Sequence, residues 1–299
     1  MPSMKAIKHR RASVKNMQQA MRAMNLVATA KLQKARQEWQ YIRAFVEGTD
    51  SLTLSAAADK DAAEHFYVRG RGPSRNAAYL VISSDRGKCG GYNLNVAKAA
   101  ATHASDHGKN ALFYVVGIKG LEYFLSRNLH VEQYVHAPKS LASFDDAREL
   151  GKSLIDLYRD PHEAAKGNPF VPGKVDEVYI VYTKFTSILA TEPKVVQVLP
   201  LNARSEQAQA DTKRAPMEYD PGPEAFLTFM TEKYLNAYIY GAMTESVVCE
   251  QAARMLNMDA ATNNAQDIIE KLTLMYNRQR QGAITQEITE IVSGANALK

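Results

Sequence analysis

The chain has 299 residues, 45% of them hydrophobic, with seven histidines, two cysteines and a formal net charge of +5. That is enough for a sizeable core, or for one domain plus an extended part. No apolar run reaches membrane-spanning length, Cys89 and Cys249 are too far apart for a CxxC pair and no HExxH is present, which argues against a bilayer-crossing chain, a disulfide framework or a metal centre and for a reduced, intracellular protein.

The N-terminal MPSMKAIKHRR has no apolar signal core and runs straight into patterned helix, so neither a secretory signal nor a separate transit peptide is read there. Residues 1–50 carry ten Lys/Arg against three Asp/Glu, and residues 218–299 carry six against eleven. Ends of opposite sign suggest arms that pair with each other, and the acidic arm argues against a basic nucleic-acid binder. Prolines are absent between Pro2 and Pro73 and after Pro223, so both ends are free to form long helices. In the first, Ile7, Val14, Met21, Ala28, Ala35 and Ile42 recur every seven residues. Met17, Met24 and Phe45 take the companion position three residues on, with Arg10, Lys31 and Glu38 as charged exceptions. This predicts a coiled-coil seam.

The middle alternates. AAYLVIS (Ala77 to Ser83), ALFYVVG (Ala111 to Gly117), VDEVYIVYTKF (Val175 to Phe185) and KVVQVLPL (Lys194 to Leu201) read as strands, with VEQYV (Val131 to Val135) a weaker one. Helices are predicted at 92–107, 118–128 and 143–159, the last opening with Ser143 as cap and the acidic pair Asp145 and Asp146. The alternation predicts a small, mainly parallel, Rossmann-like sheet, closed by an antiparallel edge hairpin where the last two strands follow each other closely. Residues 203–216 read as a polar linker. In the C-terminal arm Ala265, Ile268, Leu272 and Met275 step by 3, 4, 3, and Ile284, Ile288, Ile291, Ala295 and Leu298 by 4, 3, 4, 3. A continuous helix over the 76 residues from Glu224 to Lys299 is ~110 Å long at ~1.5 Å per residue, more than one globular domain buries. The fold class is therefore α/β with a long antiparallel coiled coil: an N-terminal helix over 1–58, a Rossmann-like insert over 75–202 and a C-terminal helix over 217–299.

SDRGKCGGYN (Ser84 to Asn93) sits between the first strand and the helix after it, where nucleotide-binding folds place a phosphate loop. It fits neither GxxxxGK[ST], since Cys89 follows Gly87-Lys88, nor GxGxxG, since its glycines are 87, 90 and 91. The residues favour a tight turn in which Asp85 and Asn93 cap backbone groups and the glycines take φ > 0 or allow close packing. A loop exposed to touch another protein is the third reading.

This loop closely resembles SDRGLCGG-N of the gamma subunits of F-type ATP synthases. MRAMNLVATAKLQKAR (Met21 to Arg36), ESVVCEQAARMLNMDAATNNA (Glu245 to Ala265) and ITQEITEIVSGANAL (Ile284 to Leu298) resemble that family's other signatures, in the same order across the whole chain. The departures are Lys88 and Tyr92 for usual leucines, Asn25-Leu26-Val27 for a Met-Val pair, and Asn257-Met258 for Ala-Met. The resemblance implies a non-catalytic rotor shaft, one copy per complex, without cofactor, metal or nucleic acid. Its partners would be the alpha and beta subunits, the epsilon subunit and the c-ring. Membrane contact would come only through the c-ring, at the cytoplasmic face of a bacterial plasma membrane; protons or sodium ions are left open. It implies subunit-interface roles for Arg10, Arg11, Met24, Lys31, Arg86, Lys88, Arg254, Gln281, Thr285, Glu287 and Glu290. By spacing alone Met24 is seam packing, the cations Arg10, Arg11, Lys15, Lys31, Lys34 and Arg36 form a face that also suits pairing with the acidic arm, and Arg254 suits an internal pair with Glu250. The rivals are a Rossmann-type nucleotide enzyme with helical arms, a nucleic-acid binder and a generic coiled-coil adaptor.

Overall fold

In a computed structural model, described for residues 3–59, 62–70, 76–159, 174–201, 219–220 and 222–297, the proline-free ends are two long helices: α1 (Met4–Ala57) and α6 (Pro223–Ala297). The predicted linker at 203–216 lies outside the described residues. Between the helices lie α2 (Phe66–Arg69), β1 (Asn76–Ile82), α3 (Tyr92–Asp106), β2 (Asn110–Val116), α4 (Ile118–Leu125), β3 (Val131–Val135), α5 (Phe144–Tyr158), β4 (Glu177–Phe185) and β5 (Thr191–Leu199). The chain divides into two compact units, one of residues 1–29 with 254–299 and one of residues 30–253.

The larger unit is built on one sheet of order β3-β2-β1-β4-β5. β1 pairs parallel with β2 and β4, β2 parallel with β3, and β4 antiparallel with β5, so the short link makes the edge hairpin that its length dictates. Alternate residues of each strand point to opposite faces, and here both faces are covered. Ala77, Tyr79 and Val81 of β1 meet Val96, Ala97 and Ala100 of α3 and Phe124 of α4. Ala78, Leu80 and Ile82 join a cluster with Leu150 and Leu154 of α5 and Leu235 and Ile239 of α6. That is why β1 reads as a continuous apolar run and not as an alternating one. Ser143 opens α5 as predicted, its Oγ accepting the Asp145 N–H at 3.2 Å. Residues 241–250 of α6 are all buried, so here the helix is enclosed on every side and shows no amphipathic stripe.

The smaller unit is an antiparallel pair. Arg11 of α1 lies 5.4 Å over the Tyr276 ring, Gln18 bonds to Thr262 and Gln266, and Asn25 bonds to Met255; as one number rises the other falls. Ile7 and Ala28 are buried as the heptad predicts, with Val14 and Met21 half-buried. The companion row is different from the predicted one. It lies four residues on, at Arg11, Gln18 and Asn25, and Leu32 is the buried residue of the same row in the larger unit. Met17 and Phe45, expected inside, are 52% and 56% exposed. The predicted row carried more carbon; the row that is used satisfies its polar groups. Gln18 Nε2 donates to the Thr262 carbonyl at 3.4 Å and to Gln266 Oε1 at 3.0 Å, and Asn25 Nδ2 donates to the Met255 carbonyl at 3.0 Å. The same one-residue phase error affects α6. Ala265 and Leu272 are buried as expected, but Ile269 and Tyr276 are the half-buried partners, while Ile268 and Met275 are exposed. Residues 284–294 are exposed throughout.

The two rows make opposite predictions for a charge. Ala28→Glu places a carboxylate in the seam and lowers stability by about 2 kcal/mol or more. Met17→Glu, on the outer row, stays within about 0.5 kcal/mol. Urea unfolding of the full chain, followed by helical circular dichroism, checks this; equal losses would refute the assigned phase.

Candidate interaction site

The glycine loop starts where β1 ends, and its order comes from side chains that occupy backbone donors. Ser83 Oγ donates to the Val116 carbonyl at 2.7 Å and accepts the Gly120 N–H at 3.0 Å. Asp85 Oδ1 accepts the N–H groups of Ile118 at 3.0 Å and Ala137 at 3.2 Å, and Oδ2 faces His136 Nδ1 at 3.1 Å. Burial pushes the Asp85 carboxyl up, but those two N–H groups and the His136 ring outweigh it and hold it below the usual carboxylate range. The start of α4, whose N–H groups could otherwise meet an anion, therefore already holds the chain's own carboxylate. Gly117 just before it has φ +98, and a Cβ there would stand 2.7 Å from the Ser83 carbonyl carbon, so a side chain would force β1 and β2 apart.

The far end of the loop is pinned by Asn93, whose Oδ1 accepts from the Ser84 N–H at 2.8 Å and the Ser84 hydroxyl at 2.9 Å. Cys89 is buried in a small cluster with Tyr92 and Cys249, against which Phe185 and Ala253 pack. The two cysteines, distant in sequence, thus share one cluster as free thiols. Cys249 Sγ donates to the Thr183 carbonyl at 3.3 Å, and burial, with Glu245 adding to it, pushes its thiol up. Lys88 itself takes the left-handed conformation (φ +65), together with Gly90 (φ +58); Gly87 and Gly91 do not. With both ends fixed and the middle turned outward, Arg86, Gly87 and Lys88 are left exposed.

The other predicted contact residues lie on the helices. Arg10 is exposed, while Arg11 belongs to the seam beneath the outer surface, over Tyr276. Met24 is exposed, not seam packing, because of the shifted phase. Lys31 donates to the Lys139 carbonyl at 3.1 Å, and Arg254 is half-buried. Gln281, Thr285, Glu287 and Glu290 are all exposed on α6; Thr285 Oγ1 donates to the Gln281 carbonyl at 2.9 Å and Glu290 accepts from Gln286 at 2.9 Å. The loop tip thus gathers Arg86 and Lys88, and the end of α6 gathers four polar residues. Sequence reasoning missed the exposed apolar residues Met17, Leu26 and Val27 on α1 and Leu274 and Val292 on α6. The signal that finds those on α1 is a companion row four residues on.

The model of the ATP synthase family matches residues 3–298. The ATP synthase gamma chain of Alkaliphilus metalliredigens (strain QYMF) is 37% identical over 299 residues, covering 99% of both chains. The chain belongs to the ATP synthase gamma family. The sodium ion specific ATP synthase gamma chain of Acetobacterium woodii is 34% identical over 308 residues, covering 98% of this chain and 97% of that one. Among solved structures, the Euglena gracilis mitochondrial ATP synthase (OSCP/F1/c-ring, rotational state 3) contains a chain of the same fold, with TM-score 0.66 at 17% identity over 99% of this chain and 94% of that one. The family match runs through both compact units, so loop and coiled coil are parts of one gamma-family design.

Asp85→Ala removes both caps and destabilises the chain by about 1–3 kcal/mol. Asp85→Asn keeps Oδ1 and loses less. Because the native carboxyl is held below its unfolded value, its contribution is present at neutral pH and is lost as pH falls below about 4 toward the folded value. Urea midpoints measured between neutral pH and pH 3 should show the difference between native chain and Asp85→Ala shrinking at the acid end; a constant difference would refute the assignment.

Proposed function

We propose that this chain is the central shaft of an F-type ATP synthase, carrying torque between a membrane ring and a catalytic alpha/beta hexamer while doing no chemistry itself. The observation that carries the reading is the two-helix unit, with a polar row in its seam beside an apolar one and further apolar residues outside. Met17, Leu26 and Val27 on α1 and Ile268, Leu274, Ile284, Ile288 and Ile291 on α6 are exposed. Scattered apolar residues on a monomer need no account, but a helix pair studded with them suits a surrounding sleeve of protein. Apolar contacts have no preferred direction and hardly depend on rotation angle, which suits a part that turns in its bearing. Among the described residues no helix is long and apolar enough to cross a membrane, and within this reading the membrane is met only through a c-ring. That ring would sit at the cytoplasmic face of a bacterial membrane, with an epsilon subunit as neighbour.

Within this reading Arg86 and Lys88 are the loop's contacts with a beta subunit, and Gln281, Thr285, Glu287 and Glu290 face the sleeve. Arg10 and Met24 lie on the outer face of α1 and belong with them. Arg11 and Lys31 have partners within the chain, so their part is to hold the shaft together. Both native thiols are at most 1% exposed, so they need not be removed before labelling.

Reconstitution with alpha and beta subunits tests the proposal. A probe on Lys98→Cys, an exposed position of α3, should rotate stepwise during ATP hydrolysis, and the chain alone should hydrolyse nothing. Hydrolysis with a stationary probe would overturn the shaft reading. Arg86→Glu should lower the turnover of the assembled complex by several-fold; unchanged assembly and turnover would remove Arg86 from the contact.

A further inference from the structure

A cavity of about 420 Å³ opens between the middle of α1, the β4–β5 hairpin and α6. All its lining residues belong to the larger unit, and the glycine loop contributes none of them. Its volume falls in the range of small-ligand sites. Trp39, Tyr182 and Tyr238 supply aromatic walls. Gly241 lets Val46 approach, since a Cβ there would lie 2.8 Å from Val46 Cγ2, while Trp39 Cζ3, at 3.5 Å, would be in ordinary contact.

Glu245 also lines this space although only 5% exposed. Its Oε1 accepts the Phe185 N–H at 2.9 Å. Among the described residues, Oε2 has no hydrogen-bond donor. That oxygen opens onto the cavity, where it can accept a bond from a ligand. Burial pushes this carboxyl up, and Lys184, Lys194 and Arg43 draw it part of the way back by charge without a hydrogen bond to it. Arg43 is engaged by Glu47 at 2.6 Å, and Glu47 and Asp50 add negative charge to the α1 side of the cavity. An open carboxyl oxygen among aromatic rings is the chemistry that recognises an organic cation.

We propose that this cavity binds a small organic cation, an ammonium or guanidinium group on a flat apolar body, with its charge on Glu245 Oε2 and its body against Trp39. Such a ligand would tie α1, the sheet edge and α6 together at one point.

Trp39 is the chain's single tryptophan, so its emission reports occupancy in the full-length chain. Titration with phenethylammonium should give a saturable change at about millimolar concentration, while the neutral isostere 2-phenylethanol gives a change at least tenfold weaker. Glu245→Gln should weaken the cation's affinity about tenfold or more, by loss of a charge-assisted bond. Lys184→Gln, at an exposed position that leaves the core intact, should tighten it about two- to fivefold by removing a nearby like charge. If Glu245→Gln does not fold, Lys184→Gln decides alone. No saturable change, equal affinity for the alcohol, or affinity that does not respond to Lys184→Gln would overturn the proposal.

Discussion

One helix has to satisfy two surroundings. Residues 241–250 of α6 are buried on all sides within the sheet unit, whereas residues 284–294 are exposed on all sides. No single stripe of residues serves both. In the enclosed part small and apolar residues are joined by the buried polar residues Thr244, Glu245, Ser246 and Glu250, and Gly241 gives room to Val46 of α1. In the paired part it falls back on one seam of alternating three- and four-residue steps. The rest of the chain follows from this: the sheet needs α6 as a cover for one of its faces, and α1 needs it as a partner.

The α/β insert was largely legible because its signals are local. Apolar runs marked the strands, the short link between the last two marked a hairpin, and Ser143 marked a helix start. Asp85 and Asn93 were recognisable as caps because short polar side chains beside glycines reach backbone donors. Of the loop's glycines, Gly90 takes the left-handed turn and a Cβ on Gly91 would stand 3.0 Å from Asn95 Nδ2, as read, whereas Gly87 does neither and Lys88 takes a left-handed φ.

The phase of the coiled coil was not legible from apolar counting. Met17, Met24 and Phe45 look like core, and Arg11, Gln18 and Asn25 do not. What decides is whether a polar group finds a partner, and that partner lies more than two hundred residues away in sequence. The same holds for the cluster of Cys89 with Cys249 and for the cavity beside Glu245, each assembled from distant segments. The enclosed stretch GAMTESVVCE also defies periodicity, because a helix buried on all sides has no face to reveal. Among the candidate contacts, Arg86 and Lys88 were named from the family resemblance, and a loop pinned at both ends does leave them exposed. Arg11 could not be placed, because its guanidinium faces a ring on the other helix.

The seam bonds have a consequence for how this pair of helices can change over time. Gln18 and Asn25 donate to the main-chain carbonyls of Thr262 and Met255. A carbonyl is present whatever side chain its residue carries. Alignment of the two helices along their length is therefore written mainly on α1, and α6 adds to these bonds the side chain of Gln266, whose Oε1 accepts from Gln18 at 3.0 Å. Side chains at 255 and 262 can drift without erasing it, while a change at 18 or 25 removes the mark itself. The inheritance of register is therefore unequal, and the side that carries more of it is the one that sequence pattern alone would have called a flaw.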